Sequence, residues 1–123
     1  MIAGMLARSR SGYLTSFFRE CGASNEDAAI LLKESDSFPV EDLIAGLAAM
    51  FYRTAVPSPG IPSVVIHGTE DKVVPFEVAQ HLSSSVLPDA KLISVPMGDH
   101  LLPLSNGIQI AEAVNDLAGC ISY

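Results

Sequence analysis

Apolar and polar positions follow two different rhythms along the chain, and the change comes near its middle. From Ser11 to Cys21 the apolar residues Tyr13, Leu14, Phe17, Phe18 and Cys21 recur at steps of one, three and four, which lines one face of a helix. A shorter helix is predicted from Ala28 to Leu32. It follows Ser-Asn-Glu-Asp, in which Ser24 can accept a bond from the Asp27 amide as an N-cap. Pro39 suits the first turn of a third helix, where its missing N–H is not needed, and Val40, Leu43, Ile44, Leu47 and Phe51 keep a three-four spacing. Ala55 to Pro62 then holds three prolines and a glycine in eight residues, which stops helix and strand alike. The expected organisation is a helical segment over residues 1–56, a Pro-rich linker over 57–62 and a second unit over 63–123.

Beyond the linker the rhythm is that of strands and helices in alternation. Ser63-Val64-Val65-Ile66-His67 is a continuous β-branched run, as expected of a strand buried on both faces. A helix-sized segment from Phe76 to Val86 separates it from a second strand, Lys91 to Val95, and Ile110, Val114, Leu117 and Ile121 mark a last helix. The order β-α-β-α predicts parallel strands and an α/β class, a piece of an open sheet. Two parallel strands leave two bare edges and little surface for helices to cover. Further strands are therefore expected from outside the chain, from a missing N-terminal half or a second copy, with dimers or larger species in solution.

Composition narrows the function. The chain has 123 residues, 49% of them hydrophobic, and a mean hydropathy of +0.36. That is apolar for so small a domain and points to faces meant for another domain or chain. The net charge of −7, from 14 acidic and 7 basic residues, argues against nucleic acid, since phosphate binding needs clustered Lys and Arg. Arg8, Arg10 and Arg19 precede the first acid, Glu20, and read as solvated helix charges. Cys21 and Cys120 are isolated thiols without a CxxC pair, which favours a reduced, cytoplasmic setting. The opening MIAGMLARSR reverses the charge order of a signal peptide, and no stretch reaches the about 18 apolar residues of a membrane span.

Chemistry is expected past the carboxyl ends of the strands, where loops of an open α/β sheet converge. Asp71 lies four residues beyond the first strand, in His67-Gly68-Thr69-Glu70-Asp71-Lys72-Val73-Val74-Pro75, and His100 five beyond the second, in Pro96-Met97-Gly98-Asp99-His100. Taken alone, Asp71 reads as a turn-forming residue and His100 as a polar loop residue. Together they form a more specific pair, because an imidazole held by a carboxylate is what activates a weak hydroxyl nucleophile. His67 is expected to end the strand with its ring in a structural hydrogen bond, and His81 to sit mid-helix. Neither has partners at metal-ligand spacing, so no metal and no cofactor is expected.

The pattern strand–HGTEDKVVP–helix–strand–PMGDH–helix resembles the closing segment of the α/β-hydrolase superfamily, whose chain order is Ser, Asp, His. Over residues 61–121 the resemblance implies Asp71 as triad acid and His100 as triad base, with Gly68 as a turn glycine and Pro75 opening the next helix. The preceding helices would correspond to the cap of that superfamily. Among capped members, the run through Asp42-Leu43-Ile44-Ala45-Gly46-Leu47 is similar to the carboxylesterase that releases pimeloyl-carrier protein from its methyl ester in biotin synthesis.

Two departures qualify the resemblance. Asp99 stands before the histidine where many members have a small residue, and is expected to face solvent. More important, no G-x-S-x-G occurs in the sequence, and neither the strand-to-helix elbow nor the oxyanion-hole loop is found. Ser83, Ser84 and Ser85 fall in a predicted helix and Ser24 at a cap, so none has the elbow's setting. The expected function is the C-terminal part of a serine-type α/β-hydrolase acting on a small ester or related acyl substrate, inactive by itself, with its N-terminal half truncated or separately encoded. The rival from another class is a non-catalytic remnant that docks or dimerises through its sheet edge and apolar helix faces.

Overall fold

A computed structural model of the chain describes residues 4, 9–52 and 61–119, with Phe51 described in its backbone alone. Arg8, the Phe51 side chain, residues 57–60 of the expected linker, Cys120 and Ile121 lie outside the described residues. The chain divides into two compact units, Met1–Thr54 and Ala55–Tyr123.

The first unit is helical: α1 Arg10–Glu20, α2 Asn25–Ser35 and α3 Val40–Tyr52. Helix α1 packs on α2, burying Leu14, Cys21 and Ala28. The turn between them closes on Gly22 at φ 106°, with Gly22 N–H donating to Arg19 O and Ala23 N–H to Phe18 O, both at 3.0 Å. This pair of bonds satisfies the last carbonyls of α1 and requires the left-handed backbone that glycine adopts without strain. Ser24 caps α2 by accepting from Asp27 N–H at 3.0 Å. The helix begins at Asn25, three residues before its first apolar position, because the cap and the acids Glu26 and Asp27 favour a helix start. Pro39 immediately precedes α3, and its carbonyl accepts from Leu43 N–H at 3.3 Å.

The second unit is mixed. Its elements are β1 Val64–Gly68, α4 Phe76–His81, a π turn over Leu82–Val86, β2 Lys91–Val95, α5 Leu102–Ser105 and α6 Gly107–Gly119. The strands pair in parallel, from Val64 opposite Lys91 to Gly68 opposite Val95, in a two-stranded sheet. This is a partial α/β arrangement. Helices α4 and α6 both touch β1, and Ala79, Val95, Leu102 and Ala113 are buried. Burial of β1 on both faces is not achieved, since Val64, Val65, Ile66 and His67 stay partly exposed and Gly68 is buried. Two five-residue strands cannot offer the area that fully covered parallel sheets have. Gly68 is the last residue of β1 rather than a turn residue. A side chain there would put Cβ 2.2 Å from the Gly98 carbonyl oxygen, so glycine is required for close backbone approach.

Candidate active site

The β1 and β2 exits are tied together before either carries a functional group. The Val95 carbonyl accepts from Thr69 N–H and Gly98 N–H, both at 3.0 Å, and Glu70 N–H donates to Gly98 O at 2.9 Å. Thr69 Oγ1 accepts from Met97 N–H at 3.0 Å. Met97 has φ 58°, at the second centre of a turn where Gly or Asn is usual. The bond to Thr69 and the turn bond from Gly98 hold it there. These contacts set the height at which the two loops leave the sheet.

On that base the first loop folds around Asp71. Asp71 Oδ1 accepts from Val73 N–H at 2.8 Å and Val74 N–H at 2.9 Å, a short Asx turn made by the carboxylate. Its other oxygen, Oδ2, faces His100 Nδ1 at 2.8 Å. The Asp71 side chain is 3% exposed, while His100 keeps 34% of its side chain in solvent. Burial pushes the Asp71 carboxyl up, but the Val74 amide, His100 and the Val73 amide together hold it below its ordinary value. It is therefore ionised at neutral pH. A carboxylate accepts and cannot donate, so Nδ1 of His100 carries the proton and Nε2 of the neutral ring keeps its lone pair. Among the described residues nothing donates to that Nε2. A half-exposed imidazole, fixed in this tautomer by a buried carboxylate, can take a proton from a neighbouring hydroxyl.

The structure thus brings together the two residues singled out in the sequence, 29 positions apart. The ring of His67 makes the expected structural bond, with Nε2 2.9 Å from Val74 O, and the same nitrogen lies 3.4 Å from Asp71 Oδ2. Asp99 departs from expectation. Instead of merely facing solvent, its Oδ1 accepts from Leu101 N–H at 2.9 Å, shaping the turn into α5 beyond the histidine. His81 is exposed. Ser83 and Ser84 donate to the Gln80 and His81 carbonyls, so both hydroxyls bond back along their own helix. Among the described residues no group of three or more His, Cys, Asp or Glu could hold a metal ion. No described helix is long and apolar enough to cross a membrane. Sequence reasoning missed the Thr69 clasp and the left-handed Met97; Pro96 ahead of Met97 was the one visible signal of a turn.

With this geometry in place, the chain shows a likeness to a bifunctional esterase/perhydrolase from Acinetobacter calcoaceticus, 31% identical over 74 residues, which cover 60% of this chain and 25% of that protein. The chain thus matches a quarter of the length of this curated relative. No protein-family model matches, and no solved structure does. The kinship with hydrolases is a loose one.

Proposed function

We propose that the chain is the C-terminal part of a serine-type α/β-hydrolase that cleaves a small ester or related acyl compound, with Asp71 as acid and His100 as base of its triad. The observation that carries this reading is the 2.8 Å contact between Asp71 Oδ2 and His100 Nδ1, made by a buried carboxylate and a half-exposed ring past the ends of two parallel strands. His100 Nε2 would accept the serine proton as Oγ attacks the acyl carbon. The resulting imidazolium, stabilised by Asp71, would return that proton to the leaving alcohol. Water, deprotonated by the same nitrogen, would then release the acid.

The serine comes from a segment outside these 123 residues. A second copy could cover the sheet edges but would bring no G-x-S-x-G, so the nucleophile requires a different segment, together with the oxyanion-hole donors. Residues 1–56 correspond to the cap segment of such a hydrolase, and the protein acts in the cytoplasm. A fluorophosphonate probe tests the division of labour: the 123-residue chain alone stays unlabelled, and labelling would overturn the claim that it lacks an activated nucleophile. The reading frame before Met1 is expected to encode strand–GxSxG–helix in frame; a stop codon there would favour the non-catalytic remnant.

A further inference from the structure

We infer that His67 is a positioning residue for the Asp71–His100 pair, held as the Nε2–H tautomer, opposite to that of His100. The inference rests on the acid–base reading of that pair. Its starting point is one nitrogen: His67 Nε2 is 2.9 Å from Val74 O and 3.4 Å from Asp71 Oδ2. A carbonyl and an ionised carboxylate are both acceptors. Nε2 must therefore carry a proton, which it gives mainly to Val74 and partly points at the carboxylate.

Three bonds then form a closed support. His67 holds the Val74 carbonyl, the Val74 amide holds Asp71 Oδ1 at 2.9 Å, and Asp71 Oδ2 holds His100 Nδ1. His67 is itself fixed in β1, opposite Ser94 on β2, with its ring 6.0 Å from that of Phe76 and 15% of its side chain exposed. The loop from Thr69 to Pro75 is thereby anchored to the sheet at both ends, and the carboxylate has N–H groups around both oxygens. Supports of this kind orient the groups they touch and keep their geometry before substrate arrives.

Nuclear magnetic resonance on the 123-residue chain tests this without requiring catalysis. Long-range proton–nitrogen correlation is expected to show His67 protonated at Nε2 and His100 at Nδ1, with a downfield Nδ1–H signal from the bond to Asp71. His67→Phe keeps a ring but loses the donor, so the downfield signal is lost and the Asp71 carboxyl titrates at higher pH. His67→Gln places an amide N–H the same number of bonds from Cα and restores both. An Nδ1–H tautomer at His67 in the unsubstituted chain overturns the inference whether or not the variants fold. So does a folded His67→Phe chain with the His100 signal unchanged. Absence of that signal in the unsubstituted chain fells the acid–base reading itself, and this inference with it.

Discussion

In the helical unit, polar side chains serve helix ends one at a time. Ser24 caps α2, the Arg10 guanidinium donates to the Ser35 carbonyl at its far end, and that of Arg19 donates to Asn25 at its start. In the mixed unit, polar groups from three places in the chain converge on one carboxylate: two loop amides, the His67 ring and the His100 ring. The Ser24 and Arg10 bonds satisfy backbone groups that any helix leaves open at its termini. The second arrangement surrounds a buried anion with donors beyond what a turn needs, while His100 Nε2 meets no donor among the described residues. Convergence onto a titratable group, rather than local satisfaction, distinguishes a candidate site from ordinary structure.

The contrast breaks first at Gly68. Alanine there would meet backbone at 2.2 Å and 2.4 Å, atoms that cannot swing aside, and Gly68→Ala is expected to cost about 4 kcal/mol in urea unfolding. A loss under about 1 kcal/mol would show that the strand exits are not locked. Asp71→Ala comes next at about 2–3 kcal/mol, because the Val73 and Val74 amides and the His100 Nδ1–H lose a nearly inaccessible acceptor. Urea midpoints on the two chains measure it.

The same residue gives a pH signature with a definite sign. Since the folded state holds the Asp71 carboxyl below its ordinary value of 3.8, its contribution is complete above that value. It is lost as pH falls through the lower folded value, where native and unfolded chains both bind the proton. The stability gap between the unsubstituted chain and Asp71→Asn should therefore narrow with acidification below about pH 4. Parallel curves would remove the charge from the account. In the helical unit the effects are smaller. Ser24→Ala is expected to cost about 1 kcal/mol, read as faster amide exchange at the start of α2, with the Asp71–His100 pair untouched.

Much of this was legible in the sequence, for physical reasons. Lys91–Val95 is the strand predicted, and β1 differs by one residue at each end, because apolar β-branched runs between turn residues have few alternatives. The Ser24 cap followed from its spacing to Asp27. Asp71 and His100 could be paired because loops leaving parallel neighbouring strands share an edge. The π turn over Leu82–Val86 looks like continuous helix in the sequence, since one extra residue in a turn barely disturbs apolar spacing. Helix α5 was missed because its four residues are too short for any period to show. The left-handed Met97 is also hidden, since its compensation is a bond that its amide donates to a threonine 28 positions away. Half of the donors around Asp71 are backbone amides, and backbone placement leaves no mark in residue type.

The claim that Asp71 and His100 form the acid–base pair of an acyl-transfer site is tested most directly by ester hydrolysis with the protein encoded by the whole reading frame. Substitution His100→Ala is expected to lower kcat by about a thousandfold or more with KM little changed, and fluorophosphonate labelling of the serine to disappear with it. A His100→Ala enzyme that keeps kcat within about tenfold of the parent would contradict the account.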